Sequence, residues 1–451
     1  MNGATLVRSD PDAADGEDGM MMPQVDSPAE APIDDVKRAW ITVAMLFVIQ
    51  TINRADKAVL GLAATAIMAD LSLSPERYGL IASSFYFLYA IGGVLVGYFF
   101  AHRFRPRLIV TAMIAVWSLS QLPIIFAASF TTLLVGRIVL GLGEGNGTPT
   151  CINACHEWFP AEKRNLPTSV VMTGALVGSL ASAPILAFII QRLGWHAAFA
   201  ACAIVGVIML FLWTLLSRDG PYSGVSTGKT GKALPGRHAL AMLRDRSVYG
   251  SFLMGFAADW VMGFTLAWLP TFATKALGFS QMEMGWILAV MFLAQAGMMM
   301  GISAFSQMLL RRGYSSRFAR SGLNAVCLLI GAAALLGATH VADPYVSIIL
   351  IGIGTGMPIL TFTLNPALLS EIFPARHRNR LVHMILSGGT IGSMVAPWLI
   401  GRLVGNVESG SWSQVLAVNA VMLVIGAVLA LILIRPAQST RRLQELDEAM
   451  G

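Results

Sequence analysis

Apolar stretches of about twenty residues, separated by short polar breaks, follow one another from Trp40 to Leu433. That is the length a helix needs to cross roughly 30 Å of hydrocarbon. The pattern predicts twelve helical spans, near 40–62, 78–100, 108–128, 132–154, 167–190, 196–216, 247–272, 284–306, 318–339, 345–369, 381–401 and 413–434. Runs such as 203-AIVGVIMLFLWTLL-216 have no period of two, which excludes the strands of an outer-membrane barrel. The expected fold class is an all-α membrane protein with twelve transmembrane helices. The first stretch lacks the short basic lead and small-residue cleavage site of a signal peptide, so it is kept as a span.

The breaks organise the chain. Residues 1–35 carry Asp10, Asp12, Asp15, Glu17, Asp18, Asp26 and Glu30 without apolar periodicity and read as a disordered acidic cytoplasmic tail. The longest internal break, 217–246, is rich in Gly, Ser and Lys and divides the spans six and six. This predicts an N-terminal bundle over 36–216, a cytoplasmic linker over 217–246, a C-terminal bundle over 247–434 and a cytoplasmic tail over 435–451. A repeat supports the division: 157-EWFPAEKRNLPTSVVMTGALVGSLASAP-184 parallels 371-EIFPARHRNRLVHMILSGGTIGSMVAP-397. Two pseudo-symmetric six-helix bundles around a midplane solute site are the plan of many secondary carriers, so solute transport is the expected class of function.

Charge adds an orientation. Of 31 Lys and Arg, 23 lie in one alternate set of breaks, whereas the opposite set holds only Arg77, Arg192, Lys275 and Arg402. The positive-inside rule then places both termini in the cytoplasm of a multi-pass inner-membrane protein. The same asymmetry explains the formal net charge of +6 without a nucleic-acid partner. The four cysteines fall in or beside apolar segments, so no disulfide framework is implied. Cys151, Cys155 and His156 invite a metal reading, but cysteines at i, i+4 on a helix end read as packing, and no metal is expected.

Charges inside spans are costly unless they meet a partner or a wet cavity, and they mark function. The first span carries 53-NRADK-57, the fourth carries Arg137 and Glu144, and the seventh carries Asp259. Arg137 and Glu144 are two helical turns apart on one face, about 10 Å along the axis. An arginine there suits a carboxylate ligand, because its planar fork stays charged; a glutamate of alternating exposure suits a proton carrier. Alternatively, the two satisfy each other or backbone carbonyls. Arg54 points about a quarter turn from Asn53, Asp56 and Lys57 and has no acid on its own helix, which favours it as a ligand residue. Asp56 and Lys57 could form a local neutral cluster, and Asp259 could couple protons or pair with Lys57 or Arg54. Tyr86, Tyr89, Trp268 and Asn365 are candidates to line a pocket. The glycines Gly141, Gly143, Gly145 and Gly147, with Gly174 and Gly178, permit close helix approach.

The segment Gly136-Arg137, Gly143-Glu144-Gly145, Pro149 and 158-WFPAEKR-164 resembles the signature of the anion:cation symporter family of the major facilitator superfamily. The resemblance extends to 53-NRADKAVLGLA-63, 268-WLPTFATKALGFS-280 and 387-SGGTIGSMVAPWLIG-401, and so covers the membrane region. It implies proton-driven uptake of an organic anion such as a sugar acid, tartrate, phthalate or hydroxyphenylacetate. Arg54 and Arg137 match arginines associated with the anion, and Glu144 matches the acid associated with proton coupling, to which Asp259 and Asp56 are added as candidates. Asn53 stands where the family usually has an acid, and Asp259 where an Asn is frequent. The loop 97-GYFFAHRFRPR-107 is a degraded form of the superfamily's gating motif, with His102, Arg103 and Arg107 as the gating candidates. The expected partners are the anion, protons and the bilayer; the expected state is a monomer, with no cofactor beyond the proton gradient. The rival readings are efflux by proton antiport, which two site arginines oppose for cationic drugs, and a membrane sensor or enzyme, for which no catalytic set appears in the spans.

Overall fold

The computed structural model describes residues 36–95, 104–145, 147–222, 236–374, 376–405 and 411–450. The expected tail over 1–35 and the gating candidates His102 and Arg103 lie outside the described residues. The first bundle opens with α1 (Val36–Leu62), α2 (Pro75–Leu95) and α3 (Pro106–Phe126). It continues with α4, which covers Phe130–Glu144 and Gly147–His156, then α5 (Asn165–Leu193) and α6 (Trp195–Leu216). The second holds α7 (Arg246–Ala267), α8 (Gln281–Arg311), α9 (Arg317–Ala338) and α10 (Pro344–Ile372). It closes with α11, in two pieces over Arg378–Gly389 and Ile391–Gly405, and α12 (Ser411–Leu433).

Nine of the described helices are long and apolar enough to cross a membrane by length and composition. The remaining three spans fall outside that count: α1 carries Arg54, Asp56 and Lys57, α2 is described only as far as Leu95, and α4 is described in two stretches on either side of residue 146. Local sequence sets the ends. Ser129 with Thr132 and Ser280 with Glu283 form capping boxes that open α4 and α8, and Asp343 caps α10 by accepting from the amides of Tyr345 and Val346. Gly194, at φ +85°, turns the chain sharply from α5 into α6, a conformation that a Cβ disfavours. The seventh span ends earlier than expected, at Ala267, because Pro270 demands a fresh start and the chain resumes as a short helix, Leu269–Lys275.

The bundles meet along two pairs, α2 against α11 and α5 against α8. Advancing each helix by six positions exchanges the two pairs, as a duplicated bundle requires. The seam is tight in the half of the molecule away from the termini. Tyr78 on α2 offers its hydroxyl to the carbonyls of Leu60 (3.0 Å) and Ala267 (3.2 Å), one in each bundle. The Trp398 amide donates to Ser83 Oγ (3.0 Å), and Gln281 Nε2 donates to the Leu62 carbonyl (2.8 Å). Val59, Tyr78, Phe199, Phe264, Trp268 and Ile400 belong to one buried apolar cluster that runs through both bundles, so this end is sealed mainly by packing.

Near the termini, the segment 435–451 is more than a tail. It forms a helix, Pro436–Met450, in which Ser439, Leu443, Leu446 and Asp447 share one face. Leu443 is buried, Ser439 Oγ donates to Asp245 Oδ1 (2.6 Å), and Asp447 lies 3.1 Å from His377 Nε2.

Candidate functional site

Residues of α1, α3 and α4 make a buried polar wall in the first bundle. Asp56, almost fully buried, accepts from Gln121 Nε2 (2.7 Å), which turns it toward α3. Arg137 Nη1 donates to the Asp56 backbone carbonyl (3.0 Å), and its guanidinium lies over the Phe199 ring at 5.3 Å. Arg137 Nε has no acceptor among the described residues. Lys57, one position on from Asp56, projects instead to α4: its Nζ lies 3.2 Å from Glu144 Oε2 and 3.3 Å from Asn53 Oδ1, and 5.0 Å from the Tyr89 ring centroid. These side chains are 14% (Lys57) and 0% (Glu144) exposed, and neither Glu144 oxygen accepts a well-directed hydrogen bond. A buried pair with unused lone pairs recovers little of its desolvation beyond Coulomb attraction.

The glycines bring these groups together. The carbonyl of Phe85 on α2 occupies the space a Cβ of Gly141 would need, and the indole of Trp117 on α3 crowds Gly143. On the other side, Gly178 of α5 lies against Thr51 and the Cβ of Arg54. Arg54 is half-buried there and makes no hydrogen bond or ion pair among the described residues. Between the bundles lies a cavity of about 30 Å³, room for a water or two. Lys57, Phe85, Tyr86 and Arg137 line it from the first bundle, and Gly263, Leu266 and Ala267 from the second.

Across this gap, Asp259 on α7 has no cation partner among the described residues. Ser393 Oγ on α11 donates to its backbone carbonyl (2.6 Å) and lies 3.4 Å from Oδ1, and the phenol of Tyr86 faces both Ser393 and Asp259.

Several expectations change at this point. Lys57 pairs with Glu144 and not with Asp56, because Asp56 is engaged by Gln121. Of the alternatives for Arg137, the structure shows a bond to a backbone carbonyl, that of Asp56, and no ion pair with Glu144. Asp259 is paired with neither Lys57 nor Arg54. Trp268 is fully buried, donates Nε1–H to the Pro397 carbonyl (2.8 Å) and packs edge-on to Tyr78, so it is a packing residue. Asn365 is likewise buried, donating to the Ser251 carbonyl (3.0 Å) between α10 and α7, and is absent from the cavity wall. Tyr86 does line the cavity, and Tyr89 lies beneath Lys57.

Of the gating candidates, Arg107 is described. It ties α3 to the end of α6, donating to Ser217 Oγ (3.0 Å) and the Thr214 carbonyl (3.2 Å). Arg105 pairs with Asp219 in the same corner. Glu157, just beyond α4, accepts the Tyr222 amide on its backbone carbonyl (3.0 Å). Burial, reinforced by the nearby Asp219 carboxylate, pushes its carboxyl up to about 7. Lys57 and Gln121 are the residues that sequence reasoning undervalued. The i, i+4 spacing of Asn53 and Lys57 was a signal, whereas nothing in one dimension ties Gln121 to Asp56.

The sequence model of the Major Facilitator Superfamily matches residues 46–365 and 315–449. The chain is similar to a hexuronate transporter of Bacillus subtilis (strain 168), 26% identical over 405 residues that cover 87% of this chain and 94% of the relative. It is also similar to a D-galactonate transporter of Escherichia coli O6:H1, 25% identical over 88% of this chain and 96% of the relative. Its fold matches the crystal structure of a bacterial homologue of the human lysosomal transporter Spinster, inward-facing and occupied. The TM-score is 0.76 at 17% identity, over 89% of this chain and 98% of that one. Twelve spans in two six-helix bundles, a charged wall facing a cavity between them and a family match over most of its length make this chain a membrane transporter that belongs to the major facilitator superfamily.

Proposed function

We propose that this protein is a proton-coupled symporter that takes up a small organic carboxylate, of the hydroxylated sugar-acid class, across the inner membrane by alternating access. The observation that carries the reading is an anion deficit in the first bundle. Among the described residues inside its spans, Arg54, Lys57 and Arg137 stand against only Asp56 and Glu144, and Arg54 has no partner there. A half-buried guanidinium without an anion is an unfavourable resting arrangement unless a ligand supplies one. The hexuronate and galactonate carriers it resembles both handle carboxylates.

In this reading the termini are cytoplasmic, so the sealed half faces outward and the described conformation is closed to the outside. Arg54 and Arg137 hold the anion from one side, a proton on Glu144 removes a fixed charge, and Asp259 supplies a second proton site from the opposite bundle. Neutralising the site lets the bundles close over it in low dielectric.

The test is a thermal-shift screen of purified protein against D-glucuronate, D-galactonate, phthalate and tartrate with their amides, repeated in Arg54→Ala, because a specific ligand stabilises the folded state by mass action. Stabilisation by a carboxylate, but not by its amide or in the variant, followed by acid-driven uptake in proteoliposomes, supports the reading. Indifference to every carboxylate, or stabilisation by lipophilic cations, overturns it.

A further inference from the structure

We infer that Lys57 is a substrate-binding cation held in reserve by Glu144: an incoming carboxylate takes Lys57 from Glu144, and the carboxylate left behind binds a proton. The inference rests on the proposed carboxylate transport and supplies its coupling step.

Three observations support it. First, Lys57 is placed for exchange: it lines the cavity between the bundles, while Glu144 sits behind it, fully buried. A ligand entering that cavity reaches the ammonium before it reaches the carboxylate. Second, the pair is loosely made. The Glu144 oxygens receive no well-directed hydrogen bond, whereas Asp56, one residue from Lys57, is locked by Gln121. A ligand carboxylate that brings its own hydroxyls competes with a partner held by Coulomb attraction alone. Third, among the described residues no cation other than Lys57 pairs with Glu144.

The groups that face Glu144 are few. Among the described residues they are Asp56 and Lys57 from α1, the phenol of Tyr86 from α2, with the Tyr89 ring beneath Lys57, and Arg137 on its own helix. From α3, the uncharged Trp117 packs against Gly143 beside Glu144 and Gln121 holds Asp56, while Asp259 of α7 faces Tyr86. Arg137, two turns away, makes no ion pair with Glu144 and spends Nη1 on the Asp56 carbonyl, and the remaining charges are acidic. A carboxylate deprived of Lys57 in this setting keeps no paired cation among the described residues, and protonation is its remaining route to neutrality.

The exchange balances in charge and atoms. Before binding, Lys57 ammonium neutralises Glu144 carboxylate; afterwards it neutralises the ligand carboxylate, and Glu144 carries one proton taken from water. No bond other than O–H forms, and at this pair one proton accompanies one carboxylate.

The experiment measures binding of D-glucuronate and D-galactonate to purified full-length protein, with proton uptake read by a pH indicator in weak buffer. In an Asp259→Asn background, which leaves Glu144 as the proton site under test, about one proton is expected to be taken up per ligand bound. Glu144→Gln frees Lys57, so affinity is expected to rise by about tenfold or more while proton uptake disappears. In the double variant Lys57→Gln/Glu144→Gln that gain is expected to vanish, and Lys57→Arg is expected to retain binding. A gain of equal size in the double variant would mean simple relief of repulsion and overturns the inference. So does a Glu144→Gln protein that binds no tighter, or a Lys57→Gln protein that still takes up one proton per ligand. If Lys57→Gln fails to fold, the Glu144→Gln affinity and its proton count still decide. A wild type that binds neither probe nor phthalate nor tartrate overturns the proposed function and this inference together, whereas carboxylate binding without the Glu144→Gln gain overturns this inference alone.

Discussion

Substituting Gly61 tests whether close backbone approach seals the end of the protein away from its termini. Gly61 lies near the end of α1, and a Cβ there would fall on the carbonyl oxygen of Leu266 in α7, across the bundle seam. Gly61→Ala cannot be relieved by a side-chain rotation, because the obstructing atom is backbone; α1 and α7 must move apart. Overpacking of this kind costs about 1–3 kcal/mol, which shifts a two-state equilibrium by roughly 5–150-fold. Helix propensity acts the other way, since Ala favours a helix over Gly by about 0.5–1 kcal/mol, so any opening reflects the seam. The assay introduces Ala82→Cys at the cavity wall and measures labelling by a membrane-impermeant thiol reagent applied from the side of the 63–74 connection. The native cysteines Cys151, Cys155, Cys202 and Cys327 are all buried, which keeps the background low. Labelling is expected to rise in Gly61→Ala and to stay unchanged in Gly297→Ala, whose added Cβ meets nothing within 4 Å. Unchanged labelling in Gly61→Ala, or an equal rise in both variants, would refute the reasoning.

Other predictions follow from the remaining charges and from one packing residue. Asp259→Asn is expected to weaken proton-driven accumulation while leaving counterflow of substrate intact, because it removes a proton site and no anion contact; undiminished accumulation in proteoliposomes would remove Asp259 from coupling. Glu157, with its carboxyl pushed up to about 7 by burial and by Asp219, binds its proton more tightly folded than unfolded. It therefore contributes stability that is present at pH 4.5 and below and is lost as pH rises to about 7. Glu157→Gln is expected to flatten that part of a Tm-against-pH curve, and Asp219→Asn to move it to lower pH. Trp268→Phe leaves the Pro397 carbonyl without its donor and is expected to destabilise the protein by about 0.6–2 kcal/mol in a membrane setting. Apparent substrate affinity should not change in that variant; a marked loss would return Trp268 to the binding site.

The sequence by itself determined the number of spans, their alternation, the six-and-six division and the short list of charges worth weighing. These follow from apolar length, polar breaks and the placement of Lys and Arg, which are properties of the chain in one dimension and survive any rotation of a helix about its axis. It also marked Arg54, Arg137 and Glu144, because an ionisable residue inside an apolar run is legible wherever it ends up. Partnership among those charges was decided only by tertiary structure. Lys57 could turn toward Asp56, Asp259 or Glu144 with equal local sense, and the choice depends on the rotation of α1 against α4. That rotation is set by close helix contacts, Gly141 under the Phe85 carbonyl and Gly178 beside Thr51 and Arg54, together with Gln121 reaching Asp56 from α3. Trp268 shows the same limit from the apolar side: an aromatic beside a proline reads alike whether it lines a pocket or packs a seam, and only the carbonyl of Pro397, 129 residues away, makes it the latter.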